Sequence, residues 1–475
     1  MIRLQLFCVS CVVTLLCGCV ALPPPLPSPI ALDVDRLHIK APAAEILGND
    51  WWVSLHDAQL NQLMARALDN NPSLTEAIAR LTRARADVSA ITTTVRPQVD
   101  ATANLSRDHF SEAYIYPPPY GGGSWWNGQV GFGAHWDPDF WGRQRAVIQA
   151  ATHGANARAF DVRSARSALQ SALLDAYLDL DQQYQLLALT EAYESDRQQI
   201  VSLVKRRLEA GLDSDVEQTA ANALLIDARL AHRQVSVLLE LREHQIRSLL
   251  GAEQDLVISQ PSLDYQAVLV LPSVIPGDLL LRRADVLAAL ERVEAASSQE
   301  AVAKRAFYPD INISGYIGFT ALTLPDLISA PSRQYGVGPR LSLPIFDAGR
   351  LRAQLLGTRA DLNAAVAHYN ATVLRAVQEV ADQLTQVKAL EREVQDQSDK
   401  LLQINAAHTL VERRAASGLT GQLPVLEADI RQLLARMQYT HSRALQGEAH
   451  VALVLSIGTG NALLSPSPSQ EKAHP

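Results

Sequence analysis

Apolar residues recur every three or four positions along two very long stretches of this chain. Such spacing places one apolar stripe along a helix, as at the seam of a coiled coil. No proline lies between Gly142 and Gly211 or between Gly349 and Gly418, and the glycines of each pair are 69 residues apart. At about 1.5 Å per residue, each stretch predicts a helix of about 100 Å. The seams consist of Leu169, Leu173, Ala176, Leu180, Tyr184 and Leu187, and of Val366, Tyr369, Val373, Ala376, Val380, Leu384 and Val387.

Four shorter stretches alternate between apolar and polar residues, which predicts β-strands with one apolar face. Helices predicted at about 74–95 and 285–305 come before them and are ended by Pro97 and Pro309. The strands pair through loops predicted at 110–128 and 320–335, giving two hairpins. Their apolar positions are Val99, Ala101, Ala103 and Leu105; Val130, Phe132, Ala134 and Trp136; Ile311, Ile313, Ile317 and Phe319; and Val337, Leu341, Leu343 and Ile345.

The chain contains an internal duplication. Gly-Arg-Gln-Arg-Ala at 142–146 corresponds to Gly-Arg-Leu-Arg-Ala at 349–353, and Gly211-Leu212 corresponds to Gly418-Leu419, both at an offset of 207. Helix, hairpin, long helix and returning helix follow in the same order in each copy. This predicts a first repeat at 51–255 with its hairpin at about 97–139, a linker at 256–277, a second repeat at 278–458 with its hairpin at about 309–346, and a disordered tail at 459–475.

The first nineteen residues have the features of a bacterial lipoprotein signal. Arg3 is followed by an apolar run to Leu16 and then by Cys17-Gly18-Cys19, which resembles a lipobox. We therefore expect a signal peptide at 1–18, N-acyl and diacylglycerol lipid on Cys19, and a proline-rich tether at 19–50. Because Val20 follows, resemblance to bacterial lipoproteins favours the outer membrane. The alternative is an ordinary signal peptide with an incidental cysteine.

Composition excludes several functional classes. The formal net charge is −8 and no long basic run occurs, so we expect no nucleic-acid partner. The sequence has no HExxH, GxSxG or phosphate-loop motif and no cysteine-rich metal spacing, and its 12 histidines are scattered. We therefore expect no enzyme activity, no metal site and no cofactor other than the lipid. After cleavage a single thiol remains, so no intramolecular disulfide is expected.

The strands and the lipoprotein signal together favour a membrane barrel. About ten alternating residues per strand are typical of outer-membrane barrels, whereas four strands alone leave open edges. Three chains would supply twelve strands, and two would make a barrel too narrow for a useful pore. The sequence thus predicts an α+β membrane protein, in which long helices form a tunnel and four strands per chain complete a trimeric twelve-stranded barrel. The alternative is a soluble helical protein with two hairpins packed on its own body.

Five motifs carry a resemblance to a known family. Together they make the chain resemble a TolC-type outer-membrane factor of the efflux lipoprotein branch (NodT-like), over about residues 50–458. Ala284 replaces the proline usual in that family. The motifs are Asn70-Asn71-Pro72, Asp139-Phe140-Trp141-Gly142-Arg143, Leu281-Arg282-Arg283-Ala284-Asp285-Val286, Phe307-Tyr308-Pro309-Asp310-Ile311 and Pro344-Ile345-Phe346-Asp347-Ala348-Gly349-Arg350.

The resemblance implies a homotrimer in the outer membrane of a Gram-negative bacterium, with its helical tunnel in the periplasm. A periplasmic adaptor (membrane fusion) protein and an inner-membrane pump would deliver small molecules to it for passive export. Two alternatives stay open: a type I secretion duct, and a lipid-anchored periplasmic coiled coil that does not need the strands. The cargo and the pump class cannot be read from the sequence.

The resemblance also assigns roles to the two turns between long and returning helices, the first turn (206–217) and the second turn (413–424). In the family such turns dock the adaptor, which here implicates Gly211, Leu212 and Ser214, and Gly418, Leu419 and Thr420. The alternative is that these residues only cap helices; the glycines make a tight turn possible because φ > 0 costs them little.

The family closes its tunnel close to the second turn. Val425-Leu426-Glu427-Ala428 matches the family's gate stretch, so Glu427 would occupy an acidic gate position, while Pro424 stands where some members carry a second acid. Three Glu427 carboxylates around a narrow axis would attract cations. Arg413 and Arg414 are further gate candidates, as partners in ion pairs that hold the turn closed. The alternative for Glu427 is a solvated helix carboxylate.

Overall fold

The computed structural model describes residues 30–31, 50–113, 115–251, 256–263 and 282–458. They form seven α-helices and four β-strands after a short 3₁₀ turn at Trp51–Leu55. In chain order these are α1 Ala58–Asn70, α2 Pro72–Thr93, β1 Gln98–His109, β2 Ser124–Trp136, α3 Arg143–Glu209, α4 Asp215–Leu249, α5 Ala284–Arg305, β3 Asp310–Ala321, β4 Arg333–Ser342, α6 Arg350–Ala416 and α7 Gln422–Ser456.

The predicted long helices are confirmed, and the duplication extends to their lengths. Helices α3 and α6 each have 67 residues, and the returning helices α4 and α7 each have 35. Aspartates before each long helix accept hydrogen bonds from backbone N–H groups at its start: Asp139 from Gln144 and Arg145, and Asp347 from Gly349 and Leu351. These carboxylates satisfy donors that have no partner inside the helix. None of the helices in the described part of the chain is both long enough and apolar enough to span a membrane.

The chain divides into two compact units. Of the described residues, the sheet unit contains those within Arg80–Arg158 and Ala289–Tyr369, and the helical unit contains those within 50–79, 159–288 and 370–458. In the sheet unit the strands form one antiparallel sheet in the order β1-β2-β3-β4. Strands β1 and β4 are therefore the edges, and each of them has one side without a partner strand among the described residues.

The register of the sheet gathers the apolar residues onto one face. Ala101 pairs with Phe132, Phe132 with Ile317, and Ile317 with Tyr335. Because residues directly opposite each other point to the same side of a sheet, the alternating apolar positions of all four strands share that side. It is exposed in the isolated chain: Phe132 is 60%, Ile317 58% and Tyr335 71% accessible to solvent.

Several strand boundaries differ from the prediction. The loop predicted at 320–335 is shorter, because β3 reaches Ala321 and β4 begins at Arg333. The loop predicted at 110–128 ends earlier, because β2 begins at Ser124 and pairs with β1 through Trp125 and Trp126. Strand β4 ends at Ser342, so Leu343 and Ile345, which were predicted as strand positions, lie beyond it. Pro344 lacks a backbone N–H and cannot extend the ladder, which accounts for that early end.

The core of the helical unit is built on α3. The seam residues Leu173, Ala176 and Leu180 are almost fully buried and pack with α1 and the end of α7. Tyr177 lies between them and donates a hydrogen bond of 2.9 Å to Asp57, which caps the start of α1. The buried phenol group keeps its hydrogen-bond partners, because the side-chain amide of Gln59 also donates to its oxygen, at 2.8 Å.

Several predicted features lie outside the described residues. These are the signal peptide at 1–18 with Cys19, the tether at 19–50 apart from 30, 31 and 50, the linker beyond 263, and the tail at 459–475. The linker residues that are described, 256–263, are neither helix nor strand.

Candidate functional site

The first turn closes with a specific hydrogen-bond pattern at the end of α3. The backbone N–H of Leu212 donates to the carbonyl of Arg207 at 2.8 Å, and that of Gly211 donates to Leu208 at 2.9 Å. Gly211 has a φ of 71°, the left-handed conformation in which glycine avoids a steric penalty. The turn leaves the Leu212 side chain 69% exposed.

Hydrogen bonds between charged side chains stabilise the first turn. Arg207 donates two hydrogen bonds to Asp213, Nε to Oδ2 at 2.8 Å and Nη2 to Oδ1 at 2.9 Å. The hydrogen bond from Arg207 lowers the pKa of Asp213. Ser214 and Glu217 form a capping box at the start of α4. The Ser214 side chain accepts a hydrogen bond from a backbone N–H in the first turn of the helix, and the Glu217 side chain accepts one from the backbone N–H of Ser214.

The second turn repeats this backbone. The N–H of Leu419 donates to Arg414 at 2.9 Å, that of Gly418 donates to Ala415 at 3.0 Å, and the φ of Gly418 is again 71°. Leu419 is 71% exposed. The duplication therefore yields two turns of the same geometry, each with a leucine presented to solvent.

The side chains of the second turn differ from those of the first. At the offset of 207, Thr420 replaces Asp213, and Gly421 and Pro424 replace the capping-box pair. Gly421 caps α7 without any side-chain hydrogen bond. Arg413 and Arg414 are exposed, and among the described residues neither of them takes part in an ion pair. Within the described part of a single chain these two arginines form no ion pair, and their role in holding the turn closed stays a prediction.

Glu427 lies near the start of helix α7, just beyond the second turn (413–424). Leu426 and Ile430 on either side of it are buried against Ile200, Val204 and Ala221 of α3 and α4. This packing fixes the rotation of α7, and Glu427 faces solvent. Asp429, two residues later, points elsewhere and is hydrogen-bonded to His408 of α6.

His408 and three carboxylates form a group that the sequence pattern did not reveal. His408 contacts Asp429 through Nε2, and its Nδ1 lies 3.5 Å from Glu412. Burial and the nearby Asp429 raise the pKa of Asp196 on α3. The spacing of His408 and Glu412 by four residues was a visible signal. Asp196 on α3 and Asp429 on α7 gave no such signal in the sequence, because they lie on other helices.

A second group of carboxylates that the sequence pattern did not reveal lies between α3 and α7. Burial raises the pKa values of Asp175 and Asp179, and burial together with these two neighbours raises the pKa of Glu448 to about 7. Arg242 forms an ion pair of 2.8 Å with Asp179 and so compensates part of the charge. Among the residues that the structure describes, no group of three acidic, histidine or cysteine side chains has an arrangement that could hold a metal ion.

Most of this sequence is similar to that of known proteins. Residues 63–252 and 275–459 match the profile of the family described as "Outer membrane efflux protein". The multidrug resistance outer membrane protein MdtQ of Escherichia coli O157:H7 is 31% identical over 423 residues, which cover 87% of this chain and 88% of that protein. The fusaric acid resistance protein FusA of Burkholderia cepacia is 33% identical over 312 residues, which cover 64% of this chain and 59% of that protein.

Solved structures show the same fold. The outer membrane protein VceC from Vibrio cholerae superposes with a TM-score of 0.80 at 29% identity, over 88% of this chain and 100% of that chain. The outer-membrane channel OprN superposes with a TM-score of 0.80 at 26% identity, over 93% of this chain and 100% of that chain.

Proposed function

The chain belongs to the family of outer membrane efflux proteins, and we propose how its strands, turns and gate residues serve export. It is the outer-membrane channel component of an efflux system. The proposal covers four features of the molecule: its assembly, its lipid anchor, its docking to partners and its gate. A passive conduit needs no catalytic group, and catalysis has no part in the proposal.

The open sheet supports assembly into a trimer. Strands β1 and β4 are both edges, and an exposed edge with an apolar face is a liability for an isolated chain. With four alternating strands, β4 of one copy runs antiparallel to β1 of the next, so identical copies can close the sheet. Three copies give twelve strands, within the range of bacterial outer-membrane barrels.

The dimensions of the apolar face fit a membrane. Trp126 and Trp136 lie on this face at opposite ends of β2, ten residues apart. At about 3.4 Å per residue and a tilt of about 40°, they are separated by about 26 Å along the barrel axis. Outer-membrane barrels have an apolar band of about 25 Å between two aromatic girdles. Arg107 stacks over Trp126 at 5.5 Å, an arrangement suited to the membrane–water boundary.

Covalent lipid on Cys19 would anchor the start of the chain in the outer membrane. The support is the signal-like sequence up to Cys19, which lies outside the described residues. A lipid chain adds membrane affinity to that of the barrel itself.

The two turns are proposed as the docking surface for a periplasmic adaptor, which in turn engages an inner-membrane pump. Both turns present a leucine to solvent, Leu212 and Leu419, on backbones closed by Gly211 and Gly418. Glu427 is proposed as the gate acid because the packing of its neighbours leaves it at the surface of α7, free to face the axis of a trimer.

The observation that carries the proposal is the sheet with one continuous apolar face and two unpaired edges. Native mass spectrometry of the detergent-extracted protein tests it, followed by conductance measurements of the same sample in planar bilayers. A mass of three chains together with discrete conductance steps is the expected result. A monomer without conductance would refute the assembly and leave a lipid-anchored coiled coil as the better description.

A further inference from the structure

Two arginines interrupt the apolar face of the sheet. Arg107 of β1 pairs with Trp126, and Arg333 of β4 pairs with Phe319, so both arginines lie on the apolar side. In the four described strands, no other arginine, lysine or carboxylate lies on this side. The remaining charged strand residues, such as Arg340, lie on the polar side. An arginine on a surface that contacts lipid calls for a partner that compensates its charge.

Both arginines lie at the same end of the sheet. Arg107 is two residues from the end of β1, and Arg333 is the first residue of β4. At this end the strands are joined by loops, whereas α2, α3, α5 and α6 join the opposite end. Since the helical tunnel lies in the periplasm, the arginines lie on the side of the outer leaflet. An outward-facing charge is costly at the middle of a bilayer but is tolerated near its surface.

The guanidinium groups of both arginines are free to bind another molecule. Each arginine is exposed, and neither has an ion-pair partner among the residues that the structure describes. Arg107 lies over the ring of Trp126 at 5.5 Å, a contact that does not use its N–H donors. The adjacent carboxylate, Asp108, lies on the polar side and accepts hydrogen bonds from Ser106 at 2.9 Å and Asn127 at 3.3 Å.

Exposed apolar side chains continue from each arginine towards the middle of the sheet. On the same face, Leu105 comes next to Arg107 and is 53% exposed. Tyr335 and Val337 come next to Arg333 and are 71% and 83% exposed. In the proposed trimer, β4 of one copy lies beside β1 of the next copy, about 4.8 Å away. Each boundary between copies therefore combines two guanidinium groups with an apolar surface beneath them.

We propose that each boundary binds a phosphorylated glycolipid of the outer leaflet, with its phosphates on Arg107 and Arg333 and its acyl chains on the apolar residues. This inference rests on the proposed trimeric barrel. Phosphate oxygens match the fork of donors on a guanidinium group, and a headgroup with two phosphates engages both arginines at once. Charge complementarity and continuity with the apolar face identify the occupant as an anionic lipid, because a soluble anion gains nothing from the apolar surface.

The sheet provides a matched set of variants. Arg107→Gln and Arg333→Gln each remove one positive charge and keep a polar side chain of similar length. Arg340→Gln is the control, because it removes an arginine from the same strand β4 but on the polar face and at the opposite end. All three arginines are exposed in the single chain, so these changes leave the packing of the sheet unit intact.

Native mass spectrometry of the detergent-extracted protein measures lipid binding and the mass of the assembly in the same spectrum. The probes are lipid A with two phosphates and its monophosphoryl form. We expect the two-phosphate form to bind more tightly, with one lipid at each boundary. Arg107→Gln and Arg333→Gln should each weaken its binding by about fivefold, as expected for one arginine at an anionic membrane surface. Arg340→Gln should leave its binding unchanged.

Two results would overturn the inference while leaving the barrel in place. One is a trimer in which Arg107→Gln and Arg333→Gln bind the two-phosphate lipid as tightly as the wild type does. The other is a trimer that binds the two lipids with equal affinity, because phosphate would then not be the group that is recognised. A wild-type spectrum that contains only single chains would refute the proposed assembly itself, and the lipid site at its boundaries with it.

Discussion

The partly buried carboxylate of Glu448 should make the stability of the protein depend on pH in an unusual direction. Burial, Asp179 and Asp175 raise its pKa from 4.5 to about 7, so the folded state holds a proton that the unfolded state releases. The contribution of this group to the free energy of unfolding is therefore fully present below pH 4.5 and is lost as the pH rises towards 7. In Glu448→Gln the side chain stays neutral at every pH, and the variant should escape this loss.

The difference between the two pKa values corresponds to about 3 kcal/mol if it is taken in full. Because part of the side chain contacts solvent and Arg242 lies nearby, we expect about 1–2 kcal/mol. Thermal unfolding followed by circular dichroism, at pH 4.5 and pH 8, measures it. Glu448→Gln should be more stable than the wild type at pH 8 and equal to it at pH 4.5. The exposed control Glu240→Gln should differ at neither pH, and an unchanged Glu448→Gln at pH 8 would refute the reasoning.

Three further predictions concern the gate, the anchor and one close backbone approach. Glu427→Ala should reduce cation selectivity, seen as a smaller reversal potential in a KCl gradient, because the ring of carboxylates is lost; a reversal potential like that of the wild type and of the control Asp215→Asn would exclude Glu427 from the gate. Cys19→Ser should abolish labelling with radioactive palmitate, and continued labelling would disprove lipidation at this residue. Gly251→Ala should cost about 2 kcal/mol, because φ is 83° and a Cβ would lie 2.7 Å from the carbonyl oxygen of Asn70, whereas Gly133→Ala meets open space and should cost little; equal melting temperatures of the two variants would contradict this.

The long helices were predictable because their signal is local and repeated. Two sequence features predicted the first long helix without any knowledge of tertiary packing. They are the absence of proline between Gly142 and Gly211 and the spacing of the seam residues by three or four positions. The second copy, from Gly349 to Gly418, then provided an independent instance of the same pattern. The start of β2 at Ser124 was missed, because its tryptophans directly follow a proline- and glycine-rich loop that the local pattern assigns to the turn.

The charged contacts were not predictable, for a different reason. Asp213 meets Arg207 only because Gly211 turns the chain back on itself through a positive φ. Glu448 meets Asp175 and Asp179 only because α7 packs beside α3, more than 250 residues away in sequence. Such groups depend on the register between helices, which spacing within one helix does not determine.

In the proposed channel, the apolar face of the sheet contacts lipid while the polar face lines a water-filled pore. Single cysteines at neighbouring positions test this orientation: Gly133→Cys and Gly338→Cys on the polar face, where added side chains meet open space, and Ala134→Cys and Val337→Cys on the apolar face. Intact outer-membrane vesicles are treated with a hydrophilic, membrane-impermeant maleimide. We predict labelling at positions 133 and 338 and protection at 134 and 337 until detergent is added. Equal labelling of both faces in intact vesicles would contradict a membrane-spanning barrel.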